Sequence, residues 1–417
     1  MKYVILIADG IADGPVPSLG GRTPLDVLRL PGFDALAGGG LGRVRTVPEG
    51  LPPGSDTAIL SIFGYDPRAC YTGRSPLEAA GSGVALRPGV VSFRVNLVSL
   101  EGGGFEGARI LSHNGGNVEG GEADALLAAL HADERYRQAA AALGIALHAS
   151  RSFRHIGVIA EPAGTTDFAL IEPHNVLGQP IAPHLPRGAL ARELTAYMRA
   201  SFAALRSHPV NAARAAGGAL PANCLWPWGA GRAIALEPFA KKYGKSAVVI
   251  SAVPLVWGIA ALSGLPAPRV PGATGELDTD YGAKVQAALD ALSGGVDLAV
   301  IHIEAPDECA HAGDVQGKCE ALRRIDARVI APLLAALPSI DADFRVLLLS
   351  DHYTLLTTQT HDGAPVPYCI YDSRAPGAPR KFSEEGARGA PLLENGHELP
   401  ALLFNAQSPE ENAFRIR

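Results

Sequence analysis

Four short runs in this chain of 417 residues are apolar at nearly every position: Tyr3–Ala8, Ala247–Val253, Leu298–Ile303 and Val346–Leu349. A strand with one wet face alternates apolar and polar residues. A strand covered by helices on both faces does not, so these runs read as strands of a parallel sheet. Stretches with apolar residues at spacings of three and four, Ala283–Leu292 and Lys318–Leu337, predict helices suited to the crossovers such a sheet needs. The expected fold class is α/β, a mostly parallel sheet sandwiched by helices. From about Leu77 to Arg232 a second set of elements intervenes, with strands expected at Val91–Val98 and Arg154–Ile159 and helices at Glu122–His131 and Leu190–Leu205. The stretch Ser207–Pro227 is rich in Ala, Gly, Pro and Asn and could contain a return linker. The expectation is therefore a discontinuous core, residues 1–77 and 233–417, with an inserted α/β domain at 78–232.

Composition narrows the partners. Hydrophobic residues make up 47% and charged residues 19%, the balance of a folded soluble protein rather than a disordered one. The formal net charge is -6, with no block of Lys or Arg, which argues against a nucleic-acid or anionic-membrane surface. No apolar run reaches the roughly 18 residues that spanning a bilayer requires. The N-terminus enters a strand-like run at once, without a secretory-signal layout. Cys70, Cys224, Cys309, Cys319 and Cys369 are odd in number and form no CxxC pair, so they read as reduced thiols of a cytoplasmic protein.

Chemistry collects where strands end, which is where open α/β sheets bind ligands. The first run ends in Asp9-Gly10. Leu298–Ile303 is followed by Glu304, Asp307 and His311. Val346–Leu349 is followed by Asp351-His352, with His361 in the next loop. Any one of these acids could be a helix cap, but acids and imidazoles at three strand ends form a donor set for Mn or Zn, with Mn favoured by oxygen-rich sites. Asp307 and His311 are spaced to share one face of a helical turn. Ser55, in Pro53-Gly54-Ser55-Asp56-Thr57, precedes a helix-like run and reads either as a cap or, beside metal ions, as a nucleophile. Scattered cations occupy the insert: Arg74, Arg94, Arg151, Arg154 with His155, Arg187 and Arg232. Arg151, Arg154 and His155 cluster around an expected strand and could grip a phosphate or carboxylate. Lys242 lies just before a core strand and is a further phosphate candidate.

Taken together, several motifs resemble the archaeal-type branch of the cofactor-independent phosphoglycerate mutases. They are Asp9-Gly10, Pro53-Gly54-Ser55-Asp56, Gly64-Tyr65-Asp66-Pro67, Tyr71 to Ala79, Glu304-Ala305-Pro306-Asp307-Glu308 with His311, Ser350-Asp351-His352, and His361 before Pro365-Val366-Pro367. Trp226-Pro227-Trp228-Gly229 with Gly231-Arg232, and Lys242-Tyr243-Gly244, fit as well. Ser112-His113-Asn114-Gly115-Gly116 and Ala58-Ile59 depart from that branch's pattern.

The resemblance implies an alkaline phosphatase-like core and an inserted substrate domain. It implies two divalent ions, Mn preferred with Zn, Co or Mg as alternatives, and no bisphosphoglycerate. One ion would be held by Asp9, Ser55, Asp351 and His352, the other by Asp307, His311 and His361. Ser55 would be the residue phosphorylated. Arg151, Arg154, His155, Arg232, Lys242 and His113 would meet the substrate, with His113, His155 or Asp56 as acid/base. The implied activity is an isomerase interconverting 3-phosphoglycerate and 2-phosphoglycerate in glycolysis and gluconeogenesis. The alternatives are a metal-dependent phosphatase or phosphotransferase acting on another phosphoester, or a metal-stabilised binding protein. A homoserine kinase label borne by some members finds no support here, since Ala37–Gly42 lacks the GxxxxGK[ST] layout.

Overall fold

The computed structural model describes residues 1–162 and 167–405. The chain divides into two compact units, Met1–Tyr71 with Ala235–Arg417, and Thr72–Ile234. Residues 406–417, at the end of the expected core segment, lie outside the described residues. The first crossing falls at 71/72, earlier than the expected 77/78. The helix Arg74–Gly81 accounts for this: it packs on the strands Val90–Glu101 and Cys224–Arg232, and Ser75 Oγ donates to Ser92 O at 2.8 Å.

The first unit contains a seven-stranded sheet in the order Ala247–Ile250, Leu298–Ile303, Lys2–Ala8, Phe344–Leu349, Val366–Asp372, Leu41–Val44, Leu392–Leu393. The first four strands are mutually parallel, and Val366–Asp372 runs antiparallel to both its neighbours. Every residue of Leu298–Ile303 and Phe344–Leu349 is buried, the physical meaning of runs apolar at every position but His302 and Arg345. Val4, Leu6, Ile301, Ile303 and Leu348 pack against Val285, Leu292, Leu322 and Ile325 from the helices. The Ala247–Val253 run leaves the sheet at Ile250, because Pro254 opens a helix, Pro254–Leu262, where its missing N–H costs nothing. The Lys318–Leu337 pattern is a helix Val315–Ile325, a π-turn Asp326–Ile330 and a helix Ala331–Ile340. At the π-turn the Asp326 carboxylate accepts from the N–H groups of Gly32 and Phe33.

The second unit is built on a five-stranded antiparallel sheet. Arg109–Ser112, Val90–Glu101, Arg154–Ala160 and Ala146–His148 lie in that order, and Cys224–Arg232 also pairs with Val90–Glu101. One face carries Phe93, Val95 and Leu97 against Leu126, Leu130, Leu194 and Tyr197 of the helices Gly120–Ala132 and Ala191–Leu205. The Ser207–Pro227 stretch is not a linker. It holds the helix Pro209–Ala216 and runs into the strand Cys224–Arg232. Pro227 is tolerated in that strand because, among the described residues, its only strand partner is Val90–Glu101, on one side. Among the described residues, no helix is long and apolar enough to cross a membrane.

Candidate active site

Adjacent parallel strands of the first unit deliver the acids to one place. Lys2–Ala8 ends at Asp9, and Phe344–Leu349 is followed by Asp351 and His352. Leu298–Ile303 leads into a helix, Ala305–His311, which carries Asp307 and His311. The hairpin Tyr353–Leu355 with Thr360–Asp362 brings back His361. Gly10 makes the close approach possible. Its φ is 63°, and a Cβ there would stand 2.7 Å from both Asp307 Cα and Thr354 Oγ1.

The donor atoms form two overlapping groups. Those of Asp307, His311 and His361 lie within 4.8 Å of one another, as do those of Asp9, Asp307 and His352. His311 Nδ1 lies 2.9 Å from Gln359 O, so its N–H donates there and Nε2 is the nitrogen turned toward the acids. That Nε2 faces His361 Nε2 at 2.8 Å and Asp307 Oδ2 at 3.3 Å. Asp307 Oδ1 accepts from Thr354 Oγ1 at 2.6 Å. Asp351 Oδ1 accepts from the N–H groups of Gly10 and His352, at 3.2 and 2.9 Å. Its Oδ2 has no hydrogen-bond partner, although it is buried 3.1 Å from His352 Nε2. Asp9 repeats the pattern: His302 Nε2 holds Oδ2 at 2.9 Å, and the buried Oδ1 has no partner.

The electrostatics describe the same need. Burial, then the nearby Asp351 and Asp307 charges, push the Asp9 carboxyl well above its ordinary range. Burial pushes Asp307 the same way, but hydrogen bonds from His311 and His361 outweigh it and hold that carboxyl well below its usual value. The hydrogen bond to Asp307 in turn raises His311 to about 9, against the effect of burial. Buried carboxylate oxygens without partners are costly. A divalent cation is what these oxygens and imidazole nitrogens fit, and it would take the place of the protons they share.

Ser55 is the first residue of the helix Ser55–Ile62, and the cap position is Gly54. Its hydroxyl makes no capping bond; it lies 3.2 Å from His352 Nε2. The sequence left a cap or a nucleophile open, and the cap does not describe this serine.

A family model for 2,3-bisphosphoglycerate-independent phosphoglycerate mutase matches residues 37–211 of this chain. The 2,3-bisphosphoglycerate-independent phosphoglycerate mutase of Methanosarcina acetivorans is 40% identical over 407 residues, covering 97% of this chain and 99% of the relative. The chain belongs to this family. Among solved structures, a Pyrococcus horikoshii protein matches with a TM-score of 0.75 at 28% identity, covering 97% of this chain and 96% of its own. The cofactor-independent phosphoglycerate mutase of Thermoplasma acidophilum matches with a TM-score of 0.61 at 25% identity, covering 97% and 99%.

The residues expected to meet the substrate of this mutase family are less uniformly placed than the acids. Arg154 and His155 are neighbours on one strand, so alternation sends them to opposite faces. His155 is buried, accepts from Ser150 N–H at 3.1 Å, and is pushed down to about 4 by burial. The expected grip of Arg151, Arg154 and His155 is thus divided by the strand itself. Arg151 pairs with Asp124 at 3.2 Å and Arg232 with Glu161 at 2.6 Å. Lys242 Nζ donates to Gly64 O at 2.6 Å, just beyond the C-terminal end of the helix that Ser55 begins. There it complements the negative end of the helix dipole.

A different set gathers on one face of the second unit's sheet. Arg94 Nε bonds Glu78 Oε2 at 2.9 Å, and its guanidinium carbon stands 4.0 Å from the Trp228 ring centre. Arg74 Nε reaches the other Glu78 oxygen at 2.8 Å. Burial raises Glu78, but Arg94 and Arg74 overcome it and, with Arg154, leave the carboxyl low. Asn96, opposite Arg154 in register, donates to His113 O at 2.9 Å. Burial, Arg154 and Arg94 lower His113, whose ring centre is 6.0 Å from that of His174. Arg74 and Arg94 stood in the sequence among scattered cations. The signal that could have singled out Arg94 was its alternation with Ser92 and Asn96 along one face of the strand, against Phe93, Val95 and Leu97 on the other. His302, a polar residue inside a buried run, and Thr354, two residues past His352, were missed outright.

Proposed function

We propose that this chain interconverts 3-phosphoglycerate and 2-phosphoglycerate, without bisphosphoglycerate, by passing the phosphoryl group through Ser55. The observation that carries the reading is Ser55 Oγ at a helix N-terminus, 3.2 Å from His352 Nε2, beside buried carboxylate oxygens of Asp9 and Asp351 that lack partners. Two divalent ions, Mn preferred, would be held by Asp9, Ser55, Asp351 and His352 and by Asp307, His311 and His361; when bound they would neutralise charge on the attacking and leaving oxygens and ease loss of the serine proton. Ser55 Oγ bonds to phosphorus as the bond from phosphorus to the substrate oxygen breaks, and that oxygen takes up a proton. The return transfer goes to the neighbouring glycerate hydroxyl, which gives up its proton and restores Ser55.

The glycerate must stay bound meanwhile, because water reaching the phosphoserine would end the turnover as hydrolysis. Holding it falls to the second unit, as the substrate-binding domain. Arg154, Arg94 and Arg74 supply positive charge for the carboxylate. His113, whose proton affinity is lowered by burial and by Arg154 and Arg94, would act as a proton carrier. The testing experiment is an assay on 3-phosphoglycerate with added Mn and no bisphosphoglycerate. Formation of 2-phosphoglycerate is expected, and its absence across Mn, Co, Zn and Mg would reject the reading.

A further inference from the structure

We infer that His302 is a positioning residue for the Asp9 carboxylate, and that Ser251 selects the imidazole tautomer the task requires. This rests on the reading of Asp9 as a metal ligand. His302 is 1% exposed, inside a strand whose other residues are all apolar. An imidazole in such a place needs partners on both nitrogens. Nδ1 lies 3.1 Å from Ser251 Oγ, and Nε2 lies 2.9 Å from Asp9 Oδ2.

The direction of each bond follows from the one before it. Ser251 Oγ accepts from the Val253 N–H at 3.1 Å, so its own hydrogen is available to donate to His302 Nδ1. With Nδ1 accepting, the ring proton sits on Nε2 and donates to Asp9 Oδ2. Against an ionised Asp9, the form it takes as a metal ligand, the opposite tautomer would set two lone pairs against each other across that 2.9 Å contact. The Ser251 backbone is itself held, since Trp257 Nε1 donates to its carbonyl at 2.9 Å. The result is a carboxylate pinned by one oxygen. Its other oxygen, Oδ1, has no partner and lies 3.9 Å from His352 Nε2, on the side of the donor cluster. A carboxylate fixed this way offers one oxygen in one direction without first having to stop rotating.

The test is calorimetric titration of the metal-free full-length protein with manganese chloride at a single pH. Wild type should take up two ions. His302→Leu should weaken one binding step by roughly ten- to a hundredfold and leave the other nearly unchanged. Ser251→Ala, which keeps the imidazole but loses the tautomer control, should weaken the same step by less. His302→Gln, whose amide retains an N–H donor, should recover part of the loss. Melting temperatures of the metal-free proteins separate positioning from folding, and Ser251→Ala is the variant least able to disturb the core. The inference is overturned if both steps stay within about twofold of wild type in His302→Leu and Ser251→Ala. It is also overturned if both steps weaken equally, together with a fall in metal-free melting temperature. A wild-type protein that takes up no manganese would instead remove the metal reading on which the inference stands.

Discussion

In the first unit, Asp9, Asp351, His302 and Lys318 are each at most 1% exposed, and Lys318 meets Asp13 in an ion pair of 2.6 Å buried on both sides. In the second unit, the side chains of Arg151 and Arg232 are 77% and 51% exposed, each paired with an acid. Groups buried as deeply as the first set must have every polar atom answered, so an unanswered carboxylate oxygen there carries information about what it binds. Exposed ion pairs contribute about 0–1 kcal/mol, and nothing about function follows from their presence. The difference explains why the acids of the first unit can be read as a site, whereas cations of the second unit have to be sorted by which face of the sheet they occupy.

The sharpest way to break this comparison is Ser55→Ala. Turnover on 3-phosphoglycerate should fall by at least about 10⁴-fold, as for other removed nucleophiles. Melting temperature should stay close to wild type, because the hydroxyl caps nothing. Mass spectrometry of wild type quenched during turnover should find phosphate on the peptide containing Ser55. Activity surviving in the variant, with no modified peptide in wild type, would return Ser55 to a structural role.

Removing the ions should come next in size. Asp307→Ala or His311→Ala should lower the number of bound Mn ions by one and activity by about 10³-fold or more, since charge on the transferred group would lose its largest counterweight. Chelation of wild type should abolish activity, and Mn should restore it while raising the melting temperature by mass action. Full activity after exhaustive chelation would reject the metal centre.

How legible each region was follows from the same contrast. Asp9 stands directly after an apolar run, Asp351 and His352 follow another past Ser350, and Asp307 and His311 are one helical turn apart, so local rules locate them. The fold class was legible for a similar reason: burial on both faces leaves an unbroken apolar run. The pairing of His302 with Asp9 spans two strands and has no local signature. The division of Arg154 from His155 needed only strand alternation, but proximity in sequence obscured it. Ser207–Pro227 reads as a linker by its Gly, Pro and Asn, which mask the short apolar segment that starts the strand Cys224–Arg232.

The second unit's cations offer a smaller but more discriminating test. Arg154→Ala should lower mutase activity by roughly ten- to a hundredfold, the value of one charged hydrogen bond at about 1.5–3 kcal/mol. It should also raise the ratio of phosphate released to 2-phosphoglycerate formed, because glycerate would escape before the return transfer. Arg151→Ala and Arg232→Ala remove exposed, already paired cations and should change the rate by less than about threefold. Equal losses in all three variants would mean that the sheet face does not sort them. Phosphate release on nearly every wild-type turnover would make the enzyme a phosphatase.

The smallest effect concerns stability and probes burial in the first unit directly. Glu384 accepts from Asp13 N–H at 2.9 Å and from Thr23 Oγ1 at 2.6 Å, and burial pushes its carboxyl from an ordinary 4.5 to about 7. The folded chain therefore holds this proton more tightly than the unfolded chain does. Below pH 4.5 both states are protonated and the group costs nothing; between 4.5 and about 7 the unfolded chain gives up the proton first, so stability falls as pH rises. Above about 7 the full cost remains, on the order of 1–3 kcal/mol. Glu384→Gln cannot ionise, yet it can still accept from Asp13 and turn its amide toward Thr23. Its melting temperature relative to wild type should therefore rise by a few degrees between pH 5 and pH 8, with activity little changed. Thermal melts at those two pH values decide the matter. Parallel curves for variant and wild type would mean that Glu384 is charged in the fold at ordinary cost, and that the first unit buries its acids less completely than its geometry indicates.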